Sequence, residues 1–432
     1  MRLPFDSASG CGFALPSHEA TTRNIGSAYP LLSDEGLGSA GTFIGQDLLG
    51  GSFAFDPFTL YERHVITNPN LLVFGQIGRG KSALVKTFVW RQMVFGRRAW
   101  IIDPKGEYRA LAERCGVRPI ALRPGGSVRL NPLETGGLGG RRSAGEGPGA
   151  LRSLELVLTL AEASLRRGLQ PRERAALEAA VGSASTVDDV LTLPRVIDAL
   201  LDPSATPARQ LRTEPRQLLE DGRDVALELR RLVTGDLRGM FDGPTTPGID
   251  LAAPLVVLDL SDLYRSPVLG LLMTCAAAWL QLALGPGDAH GSRPQTLFVV
   301  DEAWAILANA SVARWLQSSW KLSRQLGVSN IAVLHRCSDL TAVGPAGSEQ
   351  VELARGLLSD SETLVVYGQP PGETATAEEL LGLTPTEAAL LPHLRRGVGL
   401  WKVGRRSFLV EHRLGRHELP IVDTDAAMGA AR

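Results

Sequence analysis

The feature that most constrains the fold is a glycine-rich octapeptide, Gly-Gln-Ile-Gly-Arg-Gly-Lys-Ser, at residues 75–82. It matches the phosphate-binding pattern G-x-x-x-x-G-K-[ST] in full. The glycines let the backbone curl until successive N–H groups point at phosphate oxygens. Residues 70–74 are typical of a buried strand and residues 83–95 of a helix, so the phosphates would lie at a helix N-terminus. The sequence therefore predicts a site for a nucleoside triphosphate.

Every position of this loop is a candidate for the nucleotide site. We expect Lys81 to contact the β- and γ-phosphates of ATP, and the hydroxyl of Ser82 to ligate Mg²⁺. Asp103, which ends a strand predicted beside the P-loop strand, could contact the ribose or a nearby water, or could only set the turn at Asp103-Pro104. The predicted nucleotide-binding residues are Gly75, Gln76, Ile77, Gly78, Arg79, Gly80, Lys81, Ser82, Ala83 and Asp103.

A pair of acids supplies the second half of a hydrolytic site. Residues 297–300 are apolar and predict a buried strand, and Asp301 and Glu302 follow it directly. In a parallel α/β sheet, the carboxyl ends of the strands face the ligand crevice. We expect Asp301 to hold Mg²⁺ and Glu302 to orient or deprotonate the attacking water. The pair favours an ATPase over a protein that only binds nucleotide.

The composition is that of an ordinary folded protein. The 432 residues are 44% hydrophobic and 21% charged, enough for a large core in two or more units. A formal net charge of −1 gives no overall attraction to nucleic acid. The cysteines have no C-x-x-C spacing and the N-terminus has no apolar signal region, so we expect a cytoplasmic protein. Residues 268–284 are apolar but too short for a membrane span, and predict a core helix.

Changes in composition predict the domain boundaries. We expect an irregular N-terminal arm at 1–50, the first part of a P-loop ATPase domain at 51–134, a flexible linker and helical insertion at 135–250, the second part of the ATPase domain at 251–425, and a tail at 426–432. Strands alternate with helices in both parts of the ATPase domain. This alternation predicts an α/β fold with a mainly parallel sheet, an inserted all-helical subdomain and a C-terminal β-hairpin.

Three segments carry a resemblance to a known family: the P-loop, the run Asp-Pro-Lys-Gly-Glu-Tyr at 103–108, and Asp-Glu-Ala-Trp at 301–304. Together they resemble the conjugation, or type IV secretion, ATPases (the VirB4/TraC-like group) of the FtsK–HerA superfamily. The resemblance covers roughly residues 45–425. It implies a RecA-like core, ATP hydrolysis with Mg²⁺, assembly into a homo-hexamer, components of a secretion channel as partners, and peripheral association with the membrane through them.

The resemblance also implies roles for two residues outside the motifs. Arg324 matches a basic position of the family and would act on the nucleotide of a neighbouring subunit, with Arg336 and Arg413 as alternates. His335 stands where the family usually has a glutamine that senses the γ-phosphate, and could instead cap a strand end. A basic cluster at 393–417 could contact DNA, a neighbouring subunit's nucleotide or only solvent. A DNA-pumping translocase and a non-hydrolysing ATP-binding scaffold therefore stay open as alternatives.

Overall fold

The computed structural model describes residues 36–134, 148–185, 190–250, 253–266, 269–283, 294–307, 310–342 and 347–423. The described residues from Leu37 onward belong to one compact unit. Among the described helices, none is both long and apolar enough to cross a membrane.

A mixed β-sheet organises this unit. Its strands are β1 (Thr42–Asp47), β2 (Ser52–Phe55), β3 (Leu71–Phe74), β4 (Arg98–Asp103), β5 (Ile120–Ala121), β6 (Leu255–Asp259), β7 (Thr296–Val300), β8 (Val328–Leu334), β9 (Thr363–Tyr367), β10 (Val398–Val403) and β11 (Arg406–His412). Within the described residues the spatial order is β2-β1-β11-β10-β9-β3-β8-β7-β4-β6-β5. All neighbours from β9 to β5 are parallel, which confirms the predicted mainly parallel sheet.

The antiparallel part of the sheet is larger than the sequence predicted. The expected C-terminal hairpin is present as β10 and β11, and β10 also pairs with β9. Residues 1–50 were expected to be irregular, which is wrong for β1, because this strand pairs with β2 and β11. Gly45 in β1 has a packing role, because a Cβ atom there would lie 1.9 Å from the carbonyl oxygen of Glu411. Residues 1–35 lie outside the described residues.

The parallel strands feed a hydrophobic core on each face of the sheet, because successive side chains point to opposite faces. Val73 and Val299 belong to the first core, and their neighbours Phe74 and Val300 belong to the second. The first core is covered by α1 (Pro57–Glu62), α2 (Lys81–Gln92) and α3 (Arg109–Arg114), and α16 (Leu419–Val422) adds to it. Because both faces of these strands are buried, their sequences are continuously apolar, as is usual for buried parallel strands.

The second core is shared with the helical insertion. The insertion comprises α4 (Pro148–Leu165), α5 (Pro171–Ser185), α6 (Leu193–Leu201), α7 (Ala205–Gln210) and α8 (Pro215–Arg231), and lies between β5 and β6 in chain order. Its side chains Leu177, Ile197 and Val225 are buried in the same core as the sheet residue Phe298. Residues 135–147, at the start of the predicted linker and insertion, lie outside the described residues. The insertion is thus a layer packed on one face of the sheet.

The same face carries the helix predicted from the apolar stretch 268–284. This helix, α9 (Leu269–Ala283), is buried along most of its length, as a core helix should be. The remaining helices are α10 (Trp304–Leu307), α11 (Ala310–Lys321), α12 (Ser323–Leu326), α13 (Glu349–Ser359), α14 (Thr374–Leu381) and α15 (Pro385–Leu390).

Candidate nucleotide site

The P-loop, residues 75–82, joins β3 to α2 at the carboxyl-terminal edge of the parallel strands. Two glycines are required by its shape. A Cβ atom on Gly75 would lie 2.6 Å from the Cβ atom of Tyr367 on β9. Gly80 precedes α2 with a φ of 113°, a conformation that residues with side chains rarely adopt. The chain can turn this tightly because neither position carries a side chain.

The start of α2 presents hydrogen-bond donors suited to an anion. Gly80 gives the helix no side-chain cap. Among the described residues, the N–H groups of Lys81, Ser82 and Ala83 have no acceptor. Unsatisfied N–H groups and the helix dipole together attract negative charge at a helix N-terminus. This end of α2 therefore fits the phosphate groups of a nucleotide.

Two other P-loop residues fasten the loop to its surroundings. The N–H group of Gln76 donates to the carbonyl oxygen of Gly368 at 3.1 Å. The guanidinium group of Arg79 donates to the carbonyl oxygen of Leu394 at 3.4 Å. At the tip, Ile77 is 80% exposed. The contacts of Gln76 and Arg79 thus hold the P-loop against the segments that follow β9 and precede β10.

Lys81 is buried inside the P-loop. Its Nζ atom donates to the carbonyl oxygens of Gly75 at 2.5 Å and Gln76 at 3.1 Å. Burial lowers the pKa of Lys81 to about 8, although the negative charges of Asp301 and Glu302 oppose this shift. The lysine is therefore an ammonium group with carboxylates close by, held by neutral carbonyl groups that a phosphate could replace.

Asp301 follows β7, and all residues of that strand are buried. The residue is 4% exposed, and its carboxylate accepts a hydrogen bond from the N–H group of Glu302 at 2.9 Å. Burial, reinforced by the charge of Glu302, raises the pKa of Asp301 to about 7. Mg²⁺ takes oxygen ligands and commonly only one or two carboxylates, so Asp301 with the hydroxyl of Ser82 is a donor set that fits this ion.

Glu302 has a strained backbone and a carboxylate surrounded by donors. Its φ is 55°, in the left-handed region that residues other than glycine seldom occupy. The carboxylate accepts hydrogen bonds from the indole N–H of Trp304 and from His335 Nε2, the latter at 2.9 Å, and pairs with the ammonium group of Lys105. Burial would raise the pKa of Glu302, but the bonds from His335, Lys105 and Trp304 outweigh it and lower the pKa to about 2.

His335 connects Glu302 to the P-loop. The residue follows β8, which lies between β3 and β7. While its side chain bonds Glu302, its carbonyl oxygen accepts the N–H group of Gly75 at 3.2 Å and the side-chain amide of Gln369 at 3.1 Å. Its Nδ1 atom is buried with no hydrogen-bond partner among the described residues. A role in sensing the γ-phosphate stays a prediction, and the contact with Glu302 was not foreseen.

Asp103 lies farther from the P-loop than the sequence suggested. The prediction that its strand neighbours the P-loop strand is wrong, because β8 and β7 lie between β3 and β4. The Asp103 carboxylate accepts the N–H groups of Lys105, Glu107 and Tyr108 at 3.2, 3.1 and 2.9 Å. Asp103 therefore fixes the loop 104–108, in agreement with the alternative that this residue sets a turn.

That loop delivers a residue that sequence reasoning did not place in the site. The ammonium group of Lys105 pairs with the carboxylate of Glu302. The ring of Tyr108 from the same loop is fully buried in the first core. The sequence signal for this role was the motif Asp-Pro-Lys-Gly-Glu-Tyr. Its aspartate accepts backbone N–H groups of the loop, and its lysine follows a strand that ends at the same edge of the sheet as β7.

Arg324 lies away from this chain's own nucleotide site. It is an exposed residue of α12, which precedes β8, and so lies at the amino-terminal edge of the sheet. The alternate Arg336 is exposed just after β8, on the same edge as the P-loop. The other alternate, Arg413, pairs with Glu411 at 2.5 Å. The structure thus brings together Lys81, Ser82, Asp301, Glu302 and His335, and separates Arg324 from them.

Acids neutralise part of the basic cluster at 393–417. Glu411 pairs with Arg395 at 2.7 Å as well as with Arg413, and Lys402 pairs with Glu387 at 3.4 Å. Exposed ion pairs are weak, so a phosphate backbone could compete for these groups. The cluster nevertheless has less unpaired charge than its sequence suggested.

Comparisons with known proteins give matches in fold. Residues 62–122 match a family model described as an AAA-like domain, while curated protein sequences give no match. The structure of VirB4 of Thermoanaerobacter pseudethanolicus is similar over 88% of this chain and 99% of that chain, with 22% identity and a TM-score of 0.69. The plasmid coupling protein TrwB in complex with the non-hydrolysable ATP analogue ADPNP is similar over 82% and 87%, with 16% identity and a TM-score of 0.52.

A second TrwB structure, in complex with ADP and Mg²⁺, gives 16% identity and a TM-score of 0.51 over 80% of this chain and 86% of that chain. At these identities the likeness concerns the fold. This chain has the RecA-like α/β fold of P-loop ATPases, similar to VirB4 and TrwB, as its sequence motifs implied.

Proposed function

We propose that this chain, with the fold shared by VirB4 and TrwB, is an ATP-hydrolysing motor of a conjugative transfer or type IV secretion apparatus. Its ATP hydrolysis would drive assembly of a channel or passage of a substrate. The observation that carries the proposal is the convergence of a phosphate-binding lysine with two acids at one edge of the sheet. Burial lowers the pKa of Lys81, and Asp301 and Glu302 lie close enough for their negative charges to oppose that lowering.

Each residue has a defined task in this reaction. The N–H groups at the start of α2 and the ammonium group of Lys81 would hold the phosphates of ATP. Ser82 and Asp301 would hold Mg²⁺, which neutralises phosphate charge. Glu302 would accept a proton from water as the water oxygen bonds to the γ-phosphorus and the bond to ADP breaks. His335 and Trp304 would hold the carboxylate in the orientation that this transfer needs.

The proposal extends to assembly and location. A homo-hexamer would let Arg324 of one subunit approach the nucleotide of the next, since it cannot serve the site of its own chain. Channel components would be partners and would hold the motor at the inner face of the membrane. These features rest on the sequence resemblance and on the position of α12.

Two substitutions test hydrolysis directly. Lys81→Ala should abolish binding of a fluorescent ATP analogue, because the phosphates lose their ammonium partner. Glu302→Gln should keep binding while phosphate release falls at least about 100-fold, the size expected for loss of a general base. Arg172→Ala, at an exposed site in the helical insertion, serves as the control. Phosphate release by Glu302→Gln at the wild-type rate would remove Glu302 as the base, and a wild-type protein that binds ATP without turnover would instead indicate a scaffold.

Addition of DNA separates the secretion motor from a DNA-pumping translocase. The ATPase rate is measured with no DNA and with rising concentrations of single- and double-stranded DNA, in low salt where phosphate contacts are strongest. We expect a change of less than about twofold for a channel motor. A rise of tenfold or more would favour the translocase.

A further inference from the structure

We propose that Lys105 is a further residue of the nucleotide site, whose ammonium group exchanges between the carboxylate of Glu302 and the γ-phosphate of ATP. When Lys105 binds the phosphate, Glu302 gains a free oxygen with which to accept a proton from water. This inference rests on the proposed ATPase function and deepens it, because it names a residue that recognises the phosphate removed in each turnover.

Hydrogen-bond donors crowd the oxygens of Glu302. Trp304, His335 and Lys105 all approach this carboxylate, which is 2% exposed. A carboxylate accepts a proton from water only if water can reach one of its lone pairs. Trp304 and His335 carry rigid rings on short side chains, and the backbone of His335 is tied to the P-loop through its carbonyl group. Lys105 is the donor with the freedom to leave.

The loop 104–108 combines a held backbone with a long side chain at Lys105. The carboxylate of Asp103 holds the N–H groups of Lys105, Glu107 and Tyr108, so the backbone of the loop is fixed. The side chain of Lys105 is 23% exposed and ends near the ring of Tyr264, 5.5 Å from the ring centroid. A lysine stem has four rotatable bonds and changes partner without backbone movement. The exchange therefore needs only rotation of a side chain.

Lys105 reaches the P-loop edge through its partner Glu302. Glu302 bonds His335, and the carbonyl oxygen of His335 accepts the N–H group of Gly75. Lys81, the residue that would bind the β- and γ-phosphates, donates to the carbonyl groups of Gly75 and Gln76 in the same loop. Two ammonium groups at one edge of the sheet favour an anion between them. A γ-phosphate carries up to two charges and would compete with the single charge of Glu302. ADP lacks that group and would leave Lys105 on Glu302.

Nucleotide preference gives a test that does not depend on turnover. The dissociation constants for ADP and for the non-hydrolysable analogue ADPNP are measured with the full chain and Mg²⁺, and their ratio is compared between variants. Lys105→Met should lower the preference for ADPNP about tenfold or more, the size of one charge-assisted contact, while ADP affinity stays within about twofold. Lys105→Arg should keep most of the preference. Lys321→Met, at an exposed lysine at the end of α11, is the matched control.

A second measurement excludes a purely structural effect. Glu302→Gln removes the competing charge, so the preference for ADPNP should rise when Lys105 is present. In a Lys105→Met background, Glu302→Gln should give no such rise. The two substitutions should therefore be non-additive in a double-mutant cycle. An unchanged preference in Lys105→Met, or additive effects, would overturn the proposal. Absence of hydrolysis in the wild type would overturn the motor alone, because the binding ratio still reports on Lys105.

Discussion

At the scale of single residues, the backbone of Glu302 shows what its environment must supply. A non-glycine residue with a φ of 55° costs on the order of 1–3 kcal/mol, so its surroundings have to stabilise it. The bonds from His335 and Trp304 hold the carboxylate, and the peptide N–H group is held by Asp301. Strain of this kind is common at functional sites, and here it aims a carboxylate toward the P-loop edge.

Substitution of His335 tests whether orientation of Glu302 limits catalysis. His335→Ala removes a donor at 2.9 Å from Glu302 but leaves the carbonyl group that holds Gly75. We expect kcat for ATP hydrolysis to fall about tenfold or more, with the Kd for ADP within about twofold. His335→Gln retains a donor and should recover most of the rate. Equal rates for wild type and His335→Ala would show that this contact does not orient the base.

A second residue-scale prediction concerns pH. His412 lies against Thr87, with its Nε2 atom 2.9 Å from the hydroxyl oxygen. Burial, reinforced by the charge of Arg91 and opposed by Glu418, lowers the pKa of His412 to about 4 from its usual 6.5. Between pH 4 and pH 6.5, His412 is therefore protonated in the unfolded chain and neutral in the folded chain. The free energy of unfolding is highest above pH 6.5 and falls as the pH falls toward 4.

Urea unfolding at pH 7 and pH 4.5 measures this effect. Other groups also titrate in this range, so the comparison is between wild type and His412→Gln, which can keep a hydrogen bond to Thr87. The wild type should lose about 2 kcal/mol more unfolding free energy than the variant between the two pH values. An equal loss in both proteins would assign the acid sensitivity to other residues.

At the scale of elements, the sequence correctly predicted the strands and turns whose residues interact with near neighbours in the chain. The P-loop, β7 with its two acids, and the hairpin of β10 and β11 each carry a local pattern. The position of β1 in the sheet, the distance from β4 to β3, and the contact of Lys105 with Glu302 depend on strand order, which no local pattern encodes. Gly45 illustrates the difference, because it lies in the segment that was expected to be irregular and instead allows close approach of two strands.

Gly45 gives a test of the antiparallel extension. In Gly45→Ala a Cβ atom would meet the carbonyl oxygen of Glu411 at 1.9 Å, so β1 would have to move away from β11. We expect the free energy of unfolding to fall by about 2 kcal/mol or more, as for other overpacked sites. Gly51→Ala is the matched control, since nothing lies within 4 Å of its Cβ position. Similar unfolding midpoints for the two variants would mean that β1 does not pack as described.

At the scale of the whole molecule, the sheet itself separates Arg324 from the nucleotide of its own subunit. β8 runs for seven residues from Val328 to Leu334, a length of about 23 Å at the usual rise per residue. Arg324 precedes this strand and the P-loop lies level with its far end, as the pairing of Phe74 with Leu334 shows. An arginine side chain cannot cover that distance, so any action of Arg324 on a nucleotide has to occur in another subunit.

Subunit mixing tests this arrangement. Lys81→Ala subunits lack a functional P-loop but retain Arg324, whereas Arg324→Ala subunits have the reverse defect. Each should be inactive alone if the arginine acts between subunits, and their mixture should recover part of the ATPase rate, because some interfaces combine an intact P-loop with an intact arginine. Arg118→Ala, at an exposed arginine just before β5 on the same edge of the sheet, should hydrolyse ATP at the wild-type rate. An active Arg324→Ala protein, with no gain on mixing, would exclude Arg324 from the site and leave Arg336 and Arg413 to be tested in the same way.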